Sequence, residues 1–520
     1  MGSREKLTGL ALVWALGLAA SPARAEERRT IEAVELRRQN VFTEGEAASA
    51  FIPFGLANGF HATTRPSLIE KELLFRIGDP LDPERLKETE RNLRARQLFR
   101  SVAVTYDGPK VVVRTADAWT FLPRLALSNK GGEFTYQFGL EERNLFGTGR
   151  QLEFRYDRGT ERLSRSLFYL DPHLFAPHVQ FQLSASDLSD GTVFEVGIAR
   201  PFFALFTEQA GSVAFRNATF DATLYSGGEA DTRWRKSERL LRLEGGRMLR
   251  RGETSVVRAF GLVDWSDVKL FPGGLGEDPP DEDPRRFLFL GVGLERQADD
   301  WIKRRNVDQS ERDEDFNMAP VGRIEVAVSP KVLRARGGVR YRASGSVGLD
   351  LGWGFGLLSA SVETRFSGDV KDATRFGVEL KGFFQRPGVT VATRLAYTVV
   401  GQGDPEMRLE LDGLSGLRGY RLHAVSGTAR AVANLEVRVF LIPEILNLFS
   451  LGVAAFVDEG LSTGPPDGVV HLTDIGVGLR IGLSRASKRS LLRVDVARAV
   501  RADPLGRQGW LLSFASGQAF

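Results

Sequence analysis

Leu451-Gly452-Val453-Ala454-Ala455-Phe456-Val457-Asp458-Glu459-Gly460 alternates between two kinds of residue. Leu451, Val453, Ala455 and Val457 are apolar and share one parity, while Gly452, Ala454, Phe456 and Asp458 share the other. A β-strand turns successive side chains to opposite faces, so Asp458 belongs to the surface away from the apolar stripe. Upstream, Ala433, Leu435, Val437 and Val439 alternate in the same way with Asn434, Glu436, Arg438 and Phe440. Before both strands stands Leu417-Arg418-Gly419-Tyr420, in glycine-rich sequence where backbone can approach closely. The guanidinium of Arg418 is permanently charged, and its planar fork matches carboxylates. If the apolar parity faces lipid, Glu436 and Asp458 face a lumen, and a loop tucked into it would set Arg418 between them.

Working outward, the period of two dominates from residue 120 onward. Phe134, Tyr136, Phe138 and Leu140 alternate with Glu133, Thr135, Gln137 and Gly139. Late in the chain Ile475, Val477, Leu479 and Ile481 do so against Asp474, Gly476, Arg480 and Gly482. Such strands need cover for one apolar face, and no helical segment remains to supply it. A barrel closed in lipid satisfies both that face and the backbone at the sheet edges. At roughly 25 residues per strand and connection, residues 119–520 predict about 16 strands. An even count places both barrel ends on one side, and the seam is expected between a first strand near Phe134 to Leu140 and a last near Trp510 to Phe520. Trp510, Leu512, Phe514 and Phe520 share a parity, which predicts an aromatic-rich lipid face for that last strand. Two polar segments, 273–284 and 297–315, read as external loops.

Residues 28–118 carry a different rhythm. A strand is expected at 30–41, and 51–60, with Pro53, Gly55 and Gly59, reads as a loop. A helix starts at Pro66 and stops by Gly78-Asp79-Pro80, and a second follows with Asp82 as N-cap and Pro83 in its first turn. Strands at 99–106 and 111–115 flank an Asp107-Gly108-Pro109 turn.

Composition bounds the class. The 520 residues include 56 Gly and 35 Phe, no Cys, and a formal charge of +4. Residues 1–25 read as a secretory signal: Arg4 and Lys6 open it, an apolar run follows, and Ala23-Arg24-Ala25 is a cleavage site. Its removal takes away Arg4, Lys6, Arg24 and Glu5, leaving +4 − 2 = +2, too balanced to argue for nucleic acid. Mean hydropathy is −0.17, compatible with barrel strands that are apolar only at alternate positions. With no cysteine and five histidines, no transition-metal site is expected. His173 and His178 would point to opposite faces of a strand. Gly147-Thr148-Gly149 precedes a strand, which argues against a phosphate loop. Nothing points to catalysis or to a cofactor.

Taken together, the Leu417–Tyr420 loop, the Phe456-x-Asp458-x-Gly460 strand and Glu436 on the strand between them resemble the BamA/TamA-like family of outer-membrane barrel-assembly and translocation proteins. Residues 28–118 resemble its POTRA domain, with Gly78-Asp79-Pro80-Leu81-Asp82 and Leu98-Phe99-Arg100-Ser101-Val102 supporting the likeness. The resemblance implies a transmembrane antiparallel β-barrel with one periplasmic α+β domain, and a lumen anchor made of Arg418, Gly419, Tyr420, Glu436, Phe456, Asp458 and Gly460. It also implies a terminal strand signal at Trp510, Leu512, Phe514 and Phe520. The implied partners are the outer-membrane bilayer, unfolded client polypeptides and a periplasmic protein at the POTRA-like domain. A dedicated two-partner-type secretion transporter and a passive porin, whose wet lumen would also hold arginines and carboxylates, are the alternatives.

Overall fold

The computed structural model describes residues 29–42, 61–130, 133–159, 161–279, 285–309, 313–367, 370–401, 403–446, 448–483 and 491–520. The expected leader at 1–25 and the loop at 51–60 lie outside the described residues.

The N-terminal unit is a three-stranded sheet under two helices. Helix α1 spans Pro66–Glu72 and helix α2 Pro83–Ala95. Both begin on proline, whose fixed φ suits a first helical turn. Asp82 caps α2 by accepting the Glu84 N–H at 3.0 Å. Helix α1 ends one turn before the predicted Gly78-Asp79-Pro80 stop, because Leu73 is already extended. In the sheet, Lys110–Asp117 is central, parallel to Ala33–Gln39 and antiparallel to Phe99–Asp107. Ile31, Leu68, Ile69, Leu86, Leu93, Leu98, Phe99, Val111 and Val113 form the core. They come from the helical and strand faces that the periodicities marked.

The rest is one large antiparallel sheet with two small two-stranded hairpins beside it. Among the described residues it has twenty strands, from Phe121–Lys130 to Trp510–Ser516, each hydrogen-bonded to its neighbours in a ring order. The expectation of about 16 fails because many connections are short. Leu188 to Gly191, Ser226 to Glu229 and Arg386 to Val389 leave two residues each. The first strand also lies earlier than predicted, at Phe121–Lys130, where Pro123 obscures the pattern. Where the sheet comes round on itself, the first and last strands share, among the described residues, a single register pair, Leu512 opposite Asn129. The last strand shares seven with its other neighbour and the first shares ten with its own.

Parity holds along the strands that decide the fold. On Phe449–Thr463 every even-numbered residue from Ser450 to Ser462 is buried, and Val453, Ala455, Val457, Glu459 and Leu461 are exposed. The terminal aromatics divide. Trp510 and Leu512 are exposed outward, but the strand ends at Ser516, Gly517 turns the chain at φ +82, and Phe520 packs against Val307, Met318, Phe355 and Phe383 inside the barrel end. Phe520 is therefore off the outer face where its parity had placed it.

The turn at Gly147 docks the N-terminal unit. Its carbonyl accepts the Arg65 N–H at 2.8 Å, and a Cβ there would stand 2.4 Å from the Thr63 carbonyl oxygen. Of the predicted external loops, 273–275 continues the strand Ser255–Leu275, and 280–284 lies outside the described residues. The segment 297–315 is no external loop. It contributes a hairpin, Trp301–Arg305 against Asp313–Asn317, at the same barrel end as the N-terminal unit. Its charge density suggested solvent, whereas Asp299, Lys303 and Asp315 pair with Arg91, Glu90 and Arg94 of α2.

Candidate functional site

The loop 403–428 leaves the barrel rim and folds into the lumen. Its path is set locally. Asp412 Oδ1 accepts the N–H groups of Leu414 and Ser415 at 2.9 and 3.0 Å, closing a turn around Gly413. Leu409–Leu411 and Val425–Gly427 pair as a short hairpin, and Leu411, Leu417, Tyr420, Ala424 and Val425 pack on Val432, Leu472 and Ala499 of the wall.

Arg418 stands at the inner tip of this loop, 5% exposed, and Glu436 and Asp458 are both 0% exposed. Its Nε donates to Asp458 Oδ2 at 2.8 Å and its Nη2 to Asp458 Oδ1 at 2.9 Å, a two-point grip. Its Nη1 donates to Glu436. The guanidinium lies 3.4 Å from the centre of the Phe456 ring, so one residue binds two acids and an aromatic face. The strands Ala429–Ile445 and Phe449–Thr463 are neighbours, and Glu436 and Phe456 are direct register partners. Pairing in that register places both acids and the ring on one patch of inner wall.

The other predicted anchor residues take distinct parts. A Cβ on Gly419 would lie 2.5 Å from the Asp474 Cβ, so only glycine lets the loop come this close. A Cβ on Gly460 would meet Leu411 and Leu417 at 2.7 and 2.8 Å. The Tyr420 hydroxyl accepts the Thr473 N–H at 3.0 Å and lies 2.8 Å from the carbonyl oxygens of Thr473 and Arg501.

Sequence reasoning missed four parts of this network. Arg438 donates to Glu436 at 2.8 Å, and Arg480 reaches Glu436 at 3.2 Å and Asp495 at 2.6 Å. Asn434 donates to Asp458 at 2.8 Å. Asn434, Arg438 and Arg480 face inward by the alternation already described, and Asp495 is buried on the alternating strand Leu491–Ala499, so parity alone marks them. A second tether crosses to the far wall: Arg285 binds Asp404 at 2.6 Å and Glu406 at 2.7 Å, and Arg365 binds Asp404 at 2.9 Å. No spacing in the sequence signalled it.

Two histidine clusters lie outside the lumen anchor. His173 and His178 occupy a turn, not a strand, and both face Glu72 of α1, with His173 Nε2 2.9 Å from its carboxylate. His173 Nδ1 accepts the His178 N–H, so its Nε2 bears the proton and is no metal ligand in that state. In the lumen loop, Glu410, Asp412 and His423 converge. Asp412 is occupied by backbone N–H groups and His423 Nδ1 lies 2.5 Å from Glu410, so internal hydrogen bonds account for the group. Burial opposes the charged form of His423, but the Glu410 hydrogen bond together with the negative charges of Glu410, Glu161 and Asp412 outweighs it, lifting its pKa above the ordinary imidazole value.

No family model matches the chain, and no curated protein does. Among solved structures it is similar to BamA from Haemophilus ducreyi lacking POTRA domains 1-3, at 11% identity and TM-score 0.39, covering 93% of this chain and 85% of that one. It is similar also to CdiB from Acinetobacter baumannii, at 13% identity and TM-score 0.45, over 94% and 73% of the two chains. With CdiB from Escherichia coli the identity is 12% and the TM-score 0.48, over 94% and 77%.

Proposed function

We propose that this chain is an outer-membrane β-barrel with a POTRA-like periplasmic domain, and that it inserts client barrel proteins into that membrane or passes polypeptides across it. The observation that carries the reading is the junction of the end strands, joined among the described residues by one register pair. A nearly unpaired edge offers backbone donors and acceptors to an incoming strand, while the rest of the ring stays fully laddered. Membrane residence is supported by the outward faces. Leu435, Val453, Val457, Ile475 and Val477 are exposed on strands whose other faces hold arginines and carboxylates. Apolar area of that extent calls for a lipid solvent. Among the described residues no helix is long and apolar enough to cross a membrane, which says nothing of strands. The seated loop opposes the porin alternative, since it lies across the lumen and is tied to both walls.

The chain lacks cysteine, so one disulfide can be placed at will. Asn129→Cys with Leu512→Cys would lock the junction at its register pair. Client insertion into proteoliposomes is expected to stop under oxidation and return on reduction. Equal insertion by the locked protein would reject the junction as the route.

A further inference from the structure

The hairpin Trp301–Arg305/Asp313–Asn317 joins neighbouring barrel strands, yet it does not hang free at the rim. On its first strand's side, Val307 enters the barrel. Val307, fully buried, packs with Met318 against Phe355, Phe383 and Ala392 of the inner wall. The Gln385 side chain donates to the Arg305 carbonyl at 2.7 Å. Most telling, Arg438 Nη1 donates to the Val307 carbonyl at 2.7 Å while its Nε holds Glu436. Glu436 in turn holds Arg418. A single inner-wall carboxylate therefore links the loop entering from one end with the hairpin entering from the other.

The outer half of the hairpin belongs to the N-terminal unit. Arg94 of α2 grips Asp315 with two bonds at 2.7 and 2.8 Å, and Arg91 of α2 binds Asp299 at 2.9 Å. Arg91 also lies 5.3 Å from the Trp301 ring centre. Both aspartates are mostly buried against their partners. Such two-point pairs fix orientation as well as distance.

We propose that this hairpin is a second closure of the lumen, at the end facing the N-terminal unit, and that α2 controls it through Arg91 and Arg94. Movement of α2 away from the barrel withdraws the hairpin from the Phe355–Phe383 wall and takes the Val307 carbonyl from Arg438. The lumen then opens from the N-terminal side whether or not Arg418 is seated. A second consequence is redundancy: freeing the Arg418 loop alone leaves the barrel shut. This inference rests on the membrane-barrel reading above.

Two measurements on the full chain test it. In planar bilayers, Arg418→Ala alone is expected to keep a low conductance. Combining it with replacement of residues 302–316 by a short Gly-Ser linker is expected to raise conductance roughly tenfold or more over either single change. The second measurement avoids the deletion. A cysteine placed at Val307 is expected to be shielded from maleimide, to become reactive with Arg94→Glu, and to be shielded again when Asp315→Arg restores the pair. Insertion with a conductance that the linker does not change, or a Val307→Cys thiol that reacts freely beside intact Arg94, overturns the closure. Failure of the chain to insert in bilayers at all would instead overturn the membrane reading, and this inference with it.

Discussion

Replacing Arg418 by alanine removes two bonds to Asp458, one to Glu436 and the contact with Phe456. The two acids do not suffer equally. Glu436 keeps Arg438 at 2.8 Å and Arg480 at 3.2 Å. Asp458 keeps the Asn434 side chain at 2.8 Å, and its register partner across the sheet is another acid, Asp474. The cost is therefore concentrated on one buried carboxylate. Breaking a buried pair in this way costs about 3–5 kcal/mol. Water entering the vacated space offsets part of this, so we take about 3 kcal/mol for the seated loop, a factor of about 100 in its seated-to-released ratio.

The assay follows from the burial of Leu417, which is fully enclosed while the loop is seated. In a chain without cysteine, Leu417→Cys gives one reporter thiol, and its maleimide rate, normalised to the unfolded chain, tracks the released fraction. Adding Arg418→Ala is expected to speed labelling by about 100-fold. Adding Asp458→Asn as well should take back much of that, because the stranded charge is gone. Labelling that changes less than about threefold on loss of Arg418 would refute the concentration of anchoring energy at this pair.

Gly419→Ala should release the loop through crowding alone, at a cost of about 1–3 kcal/mol, since its methyl would lie 2.5 Å from the Asp474 Cβ; the same thiol reporter reads it. The far-wall tether is separable: Asp404→Asn with Glu406→Gln should loosen the loop while leaving the Arg418 contacts in place, and labelling at a Met407→Cys thiol should rise with little change at Leu417→Cys. The hairpin has its own pH dependence. Burial, then the nearby Asp308, push Glu314 up to about 7 although it accepts the N–H groups of Val307 and Asp308. A folded-state value above the ordinary one means that this contribution to docking is full below about pH 4.5 and is lost as pH rises through about 7. Reactivity of Val307→Cys, normalised at each pH to that of the unfolded chain because maleimide takes the thiolate, should therefore rise between about pH 5 and about pH 8, and Glu314→Gln should flatten the normalised rise.

What the sequence made legible, and what it did not, divides along a physical line. Inward and outward faces of a strand repeat every two residues, so the alternation at 433–440 and 451–458 is enough to set Glu436 and Asp458 on one wall. The loop motif supplied the third member, and glycine at 419 marked a backbone approach that a Cβ forbids. Contacts between segments remote in sequence leave no such trace. Asp404 and Arg285 are 119 positions apart, and Arg94 and Asp315 are 221 apart. Each is an ordinary charge in its own neighbourhood. A charged stretch such as 297–315 looks solvated until the opposite charges on α2 are set beside it. The strand count failed for a related reason: connection length varies freely at constant strand geometry, so dividing a chain by an average connection miscounts the ring. Phe520 shows the limit of parity itself. Alternation assigns a face only while the chain remains extended, and the turn at Gly517 ends that condition three residues before the terminal ring. Periodicity thus reports a wall, whereas what fills the space within the wall is decided by long-range pairs such as Arg438 with Val307 and Arg94 with Asp315, which only the folded chain brings together.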